Sequence, residues 1–240
     1  MNIAVIFAGG VGTRMNSKAL PKQFLEIYGK PIIVYTLEIF QYCEEIDAII
    51  IACHKDWINY LQQLVHKFRI EKVVGITVGG ETGQESIYNG LAMAEEKYPD
   101  KDAIVLIHDG VRPLINAQVI KDNIESVKKN GSAITTCNAK ETFTIVDETG
   151  KVVQIPERAV SRIAKAPQSF YLADILQIHR RAQEDGIRDS IDSCTLMNYY
   201  GRTLTTVEGP YENIKVTTQD DFFIFRALYE AKENAQLFGF

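Results

Sequence analysis

Little in this 240-residue chain points to a covalent staple, a metal cage or a membrane anchor. Its four cysteines, Cys43, Cys53, Cys137 and Cys194, lie far apart and form no C-x-x-C pair. That spacing argues against a disulfide framework and a zinc-type site alike. Cys53 and Cys137 fall in apolar runs and are expected to be buried thiols, which suits a reduced cytoplasm. No apolar run is long; residues 3–8 are far too short for a signal peptide or a membrane span. Positive charge is not in excess either. The formal net charge is -5, which argues against a general nucleic-acid binder. Internal repeats, low-complexity tracts and interdomain linkers are all missing, so one domain is expected over residues 1–240.

What is present is ordinary in bulk and unusual at its start. Hydrophobic residues make up 46% and charged residues 24%, as in a soluble globular protein with a sizeable core. The apolar run Asn2-Ile-Ala-Val-Ile-Phe7 breaks into Ala8-Gly9-Gly10-Val11-Gly12-Thr13-Arg14-Met15, followed by Pro21-Lys22-Gln23-Phe24. Glycines let a backbone come close to a ligand and turn its N–H groups toward it. Arg14 and Lys22 beside such a loop suit a polyphosphate, so the segment reads as a nucleoside triphosphate site after the first strand. On the glycines alone, an ordinary tight βα connection is an equal reading. Residues 1–30 carry Arg14, Lys18, Lys22 and Lys30 against only Glu26. A basic patch on an acidic chain fits a small anion better than a long polyanion.

Two familiar nucleotide motifs are excluded. A P-loop needs a lysine directly after its last glycine, and none is there. The dinucleotide fingerprint would begin at Gly10 and Gly12, but Met15 stands at its third glycine.

Along the chain, short branched-residue runs alternate with helical patterns. The runs are Ile3–Phe7, Ala48–Cys53, Val73–Val78, Ala103–Ile107 and Ser132–Cys137. Helices are expected over about 32–42, 57–68, 85–97 and 117–129. This alternation predicts an α/β fold with a mostly parallel, doubly wound sheet. Ligands of such sheets sit beyond the carboxyl ends of the strands. Both the glycine loop and His108-Asp109-Gly110-Val111-Arg112-Pro113 fall there. The pattern then changes. Thr142–Val146 and Lys151–Ile155 flank Asp147-Glu-Thr-Gly150 and predict a β-hairpin. An isolated hairpin is marginal in water, so it needs a packing surface, such as another subunit. Helices near 172–184 and 192–200, strands near 204–208 and 214–217, and a closing helix over about 219–235 complete the prediction.

Taken together, these segments resemble the cytidylyltransferases that activate polyol phosphates. The resemblance runs almost end to end. It is carried by Ala8–Met15, Pro21-Lys22-Gln23, Gly79-Gly80 through Ser86, His108–Pro113, Pro167-Gln168-Ser169-Phe170 and Glu212-Asn213-Ile214-Lys215-Val216-Thr217. Phe24 and His54-Lys55-Asp56-Trp57 are more similar to the ribitol-5-phosphate branch than to the 2-C-methyl-D-erythritol 4-phosphate branch. The resemblance implies a Rossmann-like nucleotidyltransferase domain with a projecting β-hairpin arm over residues 139–160, and a homodimer formed through that arm. It implies CTP and a polyol phosphate, most simply D-ribitol 5-phosphate, as substrates, with Mg²⁺ as cofactor. No nucleic-acid or membrane partner is implied.

The site residues follow from the same resemblance. Arg14, Lys22 and Lys215 are implied as the catalytic cations at the reacting phosphates. Ala8, Gly9, Gly10, Gly12, Gly80, Glu81, Ser86, Asp109 and Gly110 are implied around the nucleotide. Asp109, Arg112, Thr142 and Arg158 are implied at the polyol phosphate, the last two reaching a neighbouring subunit. Asp109 is also the implied metal residue. Each has a plainer alternative. Lys215 sits between Ile214 and Val216 on the opposite face of an expected strand, which could be solvent. Ser86 stands near a helix start, where it would serve as a cap. Arg112 binds substrate or pairs with Asp109; Arg158 binds substrate or is a plain surface cation after Pro156-Glu157. His108 is expected to pack structurally.

Three positions depart from the family pattern. Gly83 stands where an arginine is common, Ala166 where a threonine precedes Pro-Gln, and Ile191 where the erythritol branch has threonine. The last two are expected in the acceptor pocket and weaken the erythritol assignment. A non-catalytic CTP sensor and a dinucleotide oxidoreductase are the competing classes. The four polar residues Arg14, Lys22, Asp109 and Lys215 argue against the first, and Met15 against the second.

Overall fold

The structure, a computed structural model, describes residues 1–9 and 20–238. Gly10, Gly12 and Arg14, and with them most of the glycine loop, lie outside the described residues. Strands are β1 (Asn2–Ala8), β2 (Glu26–Ile27), β3 (Lys30–Pro31), β4 (Ala48–Cys53), β5 (Val73–Val78), β6 (Ile104–Asp109), β7 (Ser132–Asn138), β8 (Ile145–Val146), β9 (Val152–Gln154), β10 (Arg162–Tyr171) and β11 (Thr206–Glu208). Helices are α1 (Ile32–Tyr42), α2 (Ile58–Lys67), α3 (Gly83–Lys97), α4 (Ala117–Asn130), α5 (Leu172–Glu184), α6 (Ser193–Tyr199) and α7 (Gln219–Phe238). No helix is long and apolar enough to cross a membrane among the described residues.

Seven strands form one sheet in the order β11-β7-β10-β6-β1-β4-β5. β1 pairs in parallel with β4 and β6, and β4 with β5. Strands buried on both faces are expected to read as near-continuous apolar runs, and Ala48-Ile-Ile-Ile-Ala-Cys53 does so. One face is covered by α1, α2 and α4 through residues such as Leu37, Phe40, Leu61 and Ile120. The other is covered by α3, α5 and α6 through Leu91, Leu176 and Leu196. α7 packs Phe225 with Tyr35 and Val216 in a third cluster. The parallel register sets Phe7 beside Asp109 and Ala8 beside Cys53. The carboxyl ends of the central strands therefore converge on one edge.

Two expectations need correction. The ten-residue β10 is not foreseen: it runs antiparallel between β6 and β7. Its Lys165 and Pro167 hide the strand pattern, since proline removes a ladder donor and marks an edge or a bulge. The register against β7 does shift between Ala164 and Gln168. Conversely, residues 214–217 form no strand. Val216 donates one backbone bond to the Val111 carbonyl, and just before this segment the Arg112 and Lys165 side chains donate to the Asn213 and Tyr211 carbonyls. The hairpin is found as β8 and β9, pairing only with each other among the described residues.

A buried polar knot ties α4 to the sheet. Asn123, fully buried, donates to the Val119 carbonyl at 2.8 Å and to Thr135 Oγ1 at 2.9 Å. It also accepts from Ser169 Oγ at 3.0 Å. Truncation strands two buried hydroxyls, and each lost partner costs about 1–3 kcal/mol. Asn123→Ala is expected to lower unfolding free energy by about 2 kcal/mol in urea titration; a change under about 0.5 kcal/mol would show that the knot is not structural.

Candidate active site

The end of β6 places Asp109 in the sheet's carboxyl edge, only 5% exposed. Its Oδ1 receives Lys215 Nζ at 2.6 Å and its Oδ2 receives Arg112 Nε at 2.7 Å. Burial alone would raise this carboxyl; the two cations outweigh burial and hold it down to about 2. It is therefore ionised throughout the physiological range. His108, fully buried beside it, is pushed down to about 4 by burial and stays neutral. Its Nε2 lies 3.2 Å from the Arg112 carbonyl and its ring packs on Phe40, the structural role expected of it.

Two cavities meet at this carboxylate. The first, about 180 Å³, is lined by Ala8, Gly9, Lys22, Gly80, Glu81 and Ser86, with Asp109 and Lys215 at its inner end. The turn between β5 and α3 builds its wall. Thr82 caps α3 by accepting from the Glu85 N–H, and the Glu85 carboxylate reaches back to the Glu81 N–H. Ser86 is thus not the cap. Its hydroxyl accepts from the Gly80 N–H at 3.0 Å and donates to the Thr82 carbonyl, pinning the loop. A Cβ on Gly9 would lie 2.8 Å from Ser86 Oγ, so the backbone at residue 9 packs against the pinned Ser86 hydroxyl because it is glycine. Lys22 enters on a short 3-10 turn that Phe24 anchors against Trp57 and Tyr60. Gln23 adds a bond to the Ala8 carbonyl. Gly110 donates to the Phe7 carbonyl and lines neither this cavity nor the next.

The second cavity, about 300 Å³, shares Phe7, Gly83, Asp109 and Lys215 with the first. Arg112, Lys165, Gln168, Asp192 and Ser193 supply its polar wall, with Ala166 and Ile191 beside them. Arg112 therefore pairs with Asp109 and faces the cavity at once. All three departures from the family pattern, Gly83, Ala166 and Ile191, line this cavity. Thr142 and Arg158 are exposed and line neither cavity within one chain.

Several polar residues here escape sequence reasoning. Gln168 lies in a motif already singled out, yet its role shows only in space. It donates to Asp192 Oδ2 at 2.9 Å and accepts from the Cys194 N–H. Asp192 in turn caps α6. Ser193 is 2% exposed with no partner for its hydroxyl among the described residues. Lys165 gives no signal, because a lysine inside a strand broken by proline reads as a surface residue. It is 7% exposed, and burial pushes its ammonium below the usual lysine range.

A glycine-walled cavity at the carboxyl edge of a parallel sheet, opening past paired cations into a second polar cavity, suits the joining of a nucleotide to a phosphorylated acceptor. This is the fold and site of a nucleotidyltransferase. The structure of 4-diphosphocytidyl-2C-methyl-D-erythritol synthase from Anaerococcus prevotii superimposes with a TM-score of 0.81 at 27% identity, covering 95% of this chain and 96% of that one. The family model described as IspD, 2-C-methyl-D-erythritol 4-phosphate cytidylyltransferase, matches residues 2–230, and the chain belongs to this cytidylyltransferase family. Within it, the chain is 59% identical to a ribitol-5-phosphate cytidylyltransferase of Streptococcus agalactiae serotype Ia over 100% of both chains. It is 37% identical to a 2-C-methyl-D-erythritol 4-phosphate cytidylyltransferase of Clostridium botulinum over 95% of this chain and 97% of that one.

Proposed function

We propose that this enzyme condenses CTP with D-ribitol 5-phosphate to give CDP-ribitol and pyrophosphate. The observation that carries the reading is the junction of the two cavities at Asp109 and Lys215. The higher identity to the ribitol-5-phosphate relative supports the choice of acceptor. CTP occupies the glycine-walled cavity, and the acceptor occupies the one lined by Gln168, Asp192 and Ser193. An acceptor phosphate oxygen bonds to the α-phosphorus while the bond to the bridging oxygen breaks and pyrophosphate leaves. A phosphate monoester has a second pKa of about 6 and is dianionic enough to attack without a general base. Catalysis then rests on alignment and on offsetting negative charge. Lys22 and Lys215 supply that charge, with Arg14 from the glycine loop.

Mg²⁺ fits this donor set. The described residues hold no cluster of three or more His, Cys, Asp or Glu side chains able to cage a metal. Mg²⁺ commonly uses one carboxylate together with substrate phosphates. Asp109 is ionised and stands at the junction, so it would hold the ion with the triphosphate, where the ion would neutralise phosphate charge.

The arm supports a homodimer. Phe143, Ile145, Val146, Val152, Val153 and Ile155 leave at least 42% of their surface exposed on a two-stranded hairpin. In the dimer, Thr142 and Arg158 reach the partner's acceptor cavity, and the Arg158 guanidinium forks onto the acceptor phosphate. Arg158→Ala is expected to raise the acceptor KM about tenfold or more, since a charge-assisted bond is worth about 1.5–3 kcal/mol, with the CTP KM little changed. An unchanged acceptor KM would remove the arm from the site.

Pyrophosphate release with CTP and Mg²⁺ tests the whole reading. D-ribitol 5-phosphate and 2-C-methyl-D-erythritol 4-phosphate are offered in parallel. Release with the ribitol phosphate alone is expected. Release only with the erythritol phosphate would overturn the acceptor and show that Ala166 and Ile191 do not set the choice.

A further inference from the structure

Lys215 is carried by a segment that has no ladder to hold it. Between Tyr211 and Thr217, the single backbone bond from a segment N–H to a residue outside the segment and its immediate neighbours is Val216 to Val111, in the turn after β6, among the described residues. Side chains do the rest. Lys165 Nζ donates to the Tyr211 carbonyl at 2.7 Å and to the Asn213 carbonyl at 3.2 Å. Arg112 Nη1 donates to the same Asn213 carbonyl at 3.0 Å. Asn213 Nδ2 returns a bond to the Ala166 carbonyl at 2.7 Å, next to Lys165.

The lysine is an expensive choice for this task. It is 7% exposed, and no carboxylate oxygen comes within 4.0 Å of it among the described residues. Burial acts against its charge, as does Arg112, a like charge, while Cys137 and Glu212 favour it without outweighing burial. An apolar side chain of equal volume would avoid the desolvation cost of burying an ammonium there. What an apolar side chain cannot do is donate to two carbonyls two residues apart. The register shift in β10 between Ala164 and Gln168 is the feature that departs from a regular ladder at this lysine.

We propose that Lys165 is a positioning residue: it clamps Tyr211 and Asn213 and thereby holds Lys215 at the junction of the two cavities. The catalytic consequence rests on the function proposed above; the clamp itself does not. Lys165 differs in role from Lys215, since two of its three donors are spent on backbone carbonyls while the Lys215 ammonium meets Asp109. Arg112 grips the same carbonyl, so the clamp and the Asp109 pair share one anchor.

The test uses the full-length enzyme with Lys165→Met, which keeps the length of the side chain and removes its donors. Amide hydrogen exchange is read first. Peptides spanning residues 210–218 are expected to exchange at least tenfold faster, with the central strands β1, β4 and β6 unchanged. This readout is independent of any substrate. Unchanged exchange over 210–218 would overturn the clamp. If Lys165→Met fails to fold, Lys165→Gln, which retains a shorter donor, is measured the same way and is expected to show a smaller rise. Turnover is read second: kcat is expected to fall ten- to hundredfold with the CTP KM within about twofold. Combined with Lys215→Ala, the loss is expected to equal that of Lys215→Ala alone. Losses that multiply would show that Lys165 acts apart from Lys215. A wild-type enzyme inactive with CTP and polyol phosphates would sink the proposed function, while the exchange result would still decide the clamp.

Discussion

Lys215→Ala is expected to lower kcat by about 10²–10³-fold, the loss of about 3–4 kcal/mol typical of removing one preorganised stabiliser of transition-state charge. The geometry gives three reasons. Nζ stands 2.6 Å from Asp109 Oδ1, a side chain common to both cavities, so it is held where the two cavities join. Its side chain is 40% exposed, so it keeps access to a ligand while Asp109 fixes its direction. The apolar Val216 beside it is fully buried with Tyr35 and Phe225, which anchors the chain next to the lysine. Charge on the bridging and leaving oxygens grows only as the bond to pyrophosphate breaks, so the ammonium contributes more to that state than to the bound nucleotide. CTP affinity is therefore expected to change by less than about tenfold. Steady-state kinetics with calorimetric CTP binding separates the two quantities. Equal losses in kcat and affinity would make Lys215 a general triphosphate ligand, and an unchanged kcat would take it out of the reaction.

The sequence makes the scaffold of this site legible and hides its acceptor side, for physical reasons. Ala48–Cys53 is buried throughout and Val73–Val78 is a half-buried edge strand rich in branched residues, so the strand pattern coincides with the ladder in both. α1 and α5 begin where β-prone residues give way to helical spacing, at Ile32 and Leu172. Asp109 follows an apolar run and must fall at a strand end, where a parallel sheet gathers its ligands. β10 breaks these rules. Its partners are 24 and more residues away in sequence, and its central Lys165-Ala166-Pro167 interrupts any alternation. Such a strand is held by its neighbours rather than by propensity. The segment 214–217 is the opposite error. Ile-Lys-Val-Thr has the composition of a strand, but the chain just before and within it is held by Asp109, Arg112 and Lys165 side chains instead of a ladder. Local pattern cannot report a side chain that replaces a backbone partner.

Asp109→Asn tests the opposite half of that network, and its effect is both catalytic and structural. Breaking a buried pair by removing one partner typically costs about 3–5 kcal/mol, because the other charge is left uncompensated. Here Arg112 is the charge so stranded, its side chain 12% exposed, while Lys215 can turn to solvent. The lower end of the range, about 3 kcal/mol, is therefore expected at pH 7. The titration of Asp109 gives a consistent figure. A carboxyl held at about 2 in the folded chain, against 3.8 as its ordinary value, contributes about 2 kcal/mol. The sign follows from the depressed folded value. The contribution is complete above the unfolded pKa and is lost as pH falls toward about 2. The stability gap between wild type and Asp109→Asn is thus expected to be the same at pH 7 and pH 5, and to shrink by about 1 kcal/mol at pH 3. Urea titrations at the three pH values measure it. A gap that does not narrow at pH 3 would mean that the asparagine variant fails by packing, and that the two cations do not hold this carboxylate as the folded geometry requires. In the same variant, Lys215 loses the anion that fixes its direction, so kcat falls even where the protein remains folded. In the proposed reaction, that coupling would let one buried carboxylate at the end of β6 serve both the architecture and the chemistry, because Arg112 and Lys215 are each held on a different oxygen of Asp109.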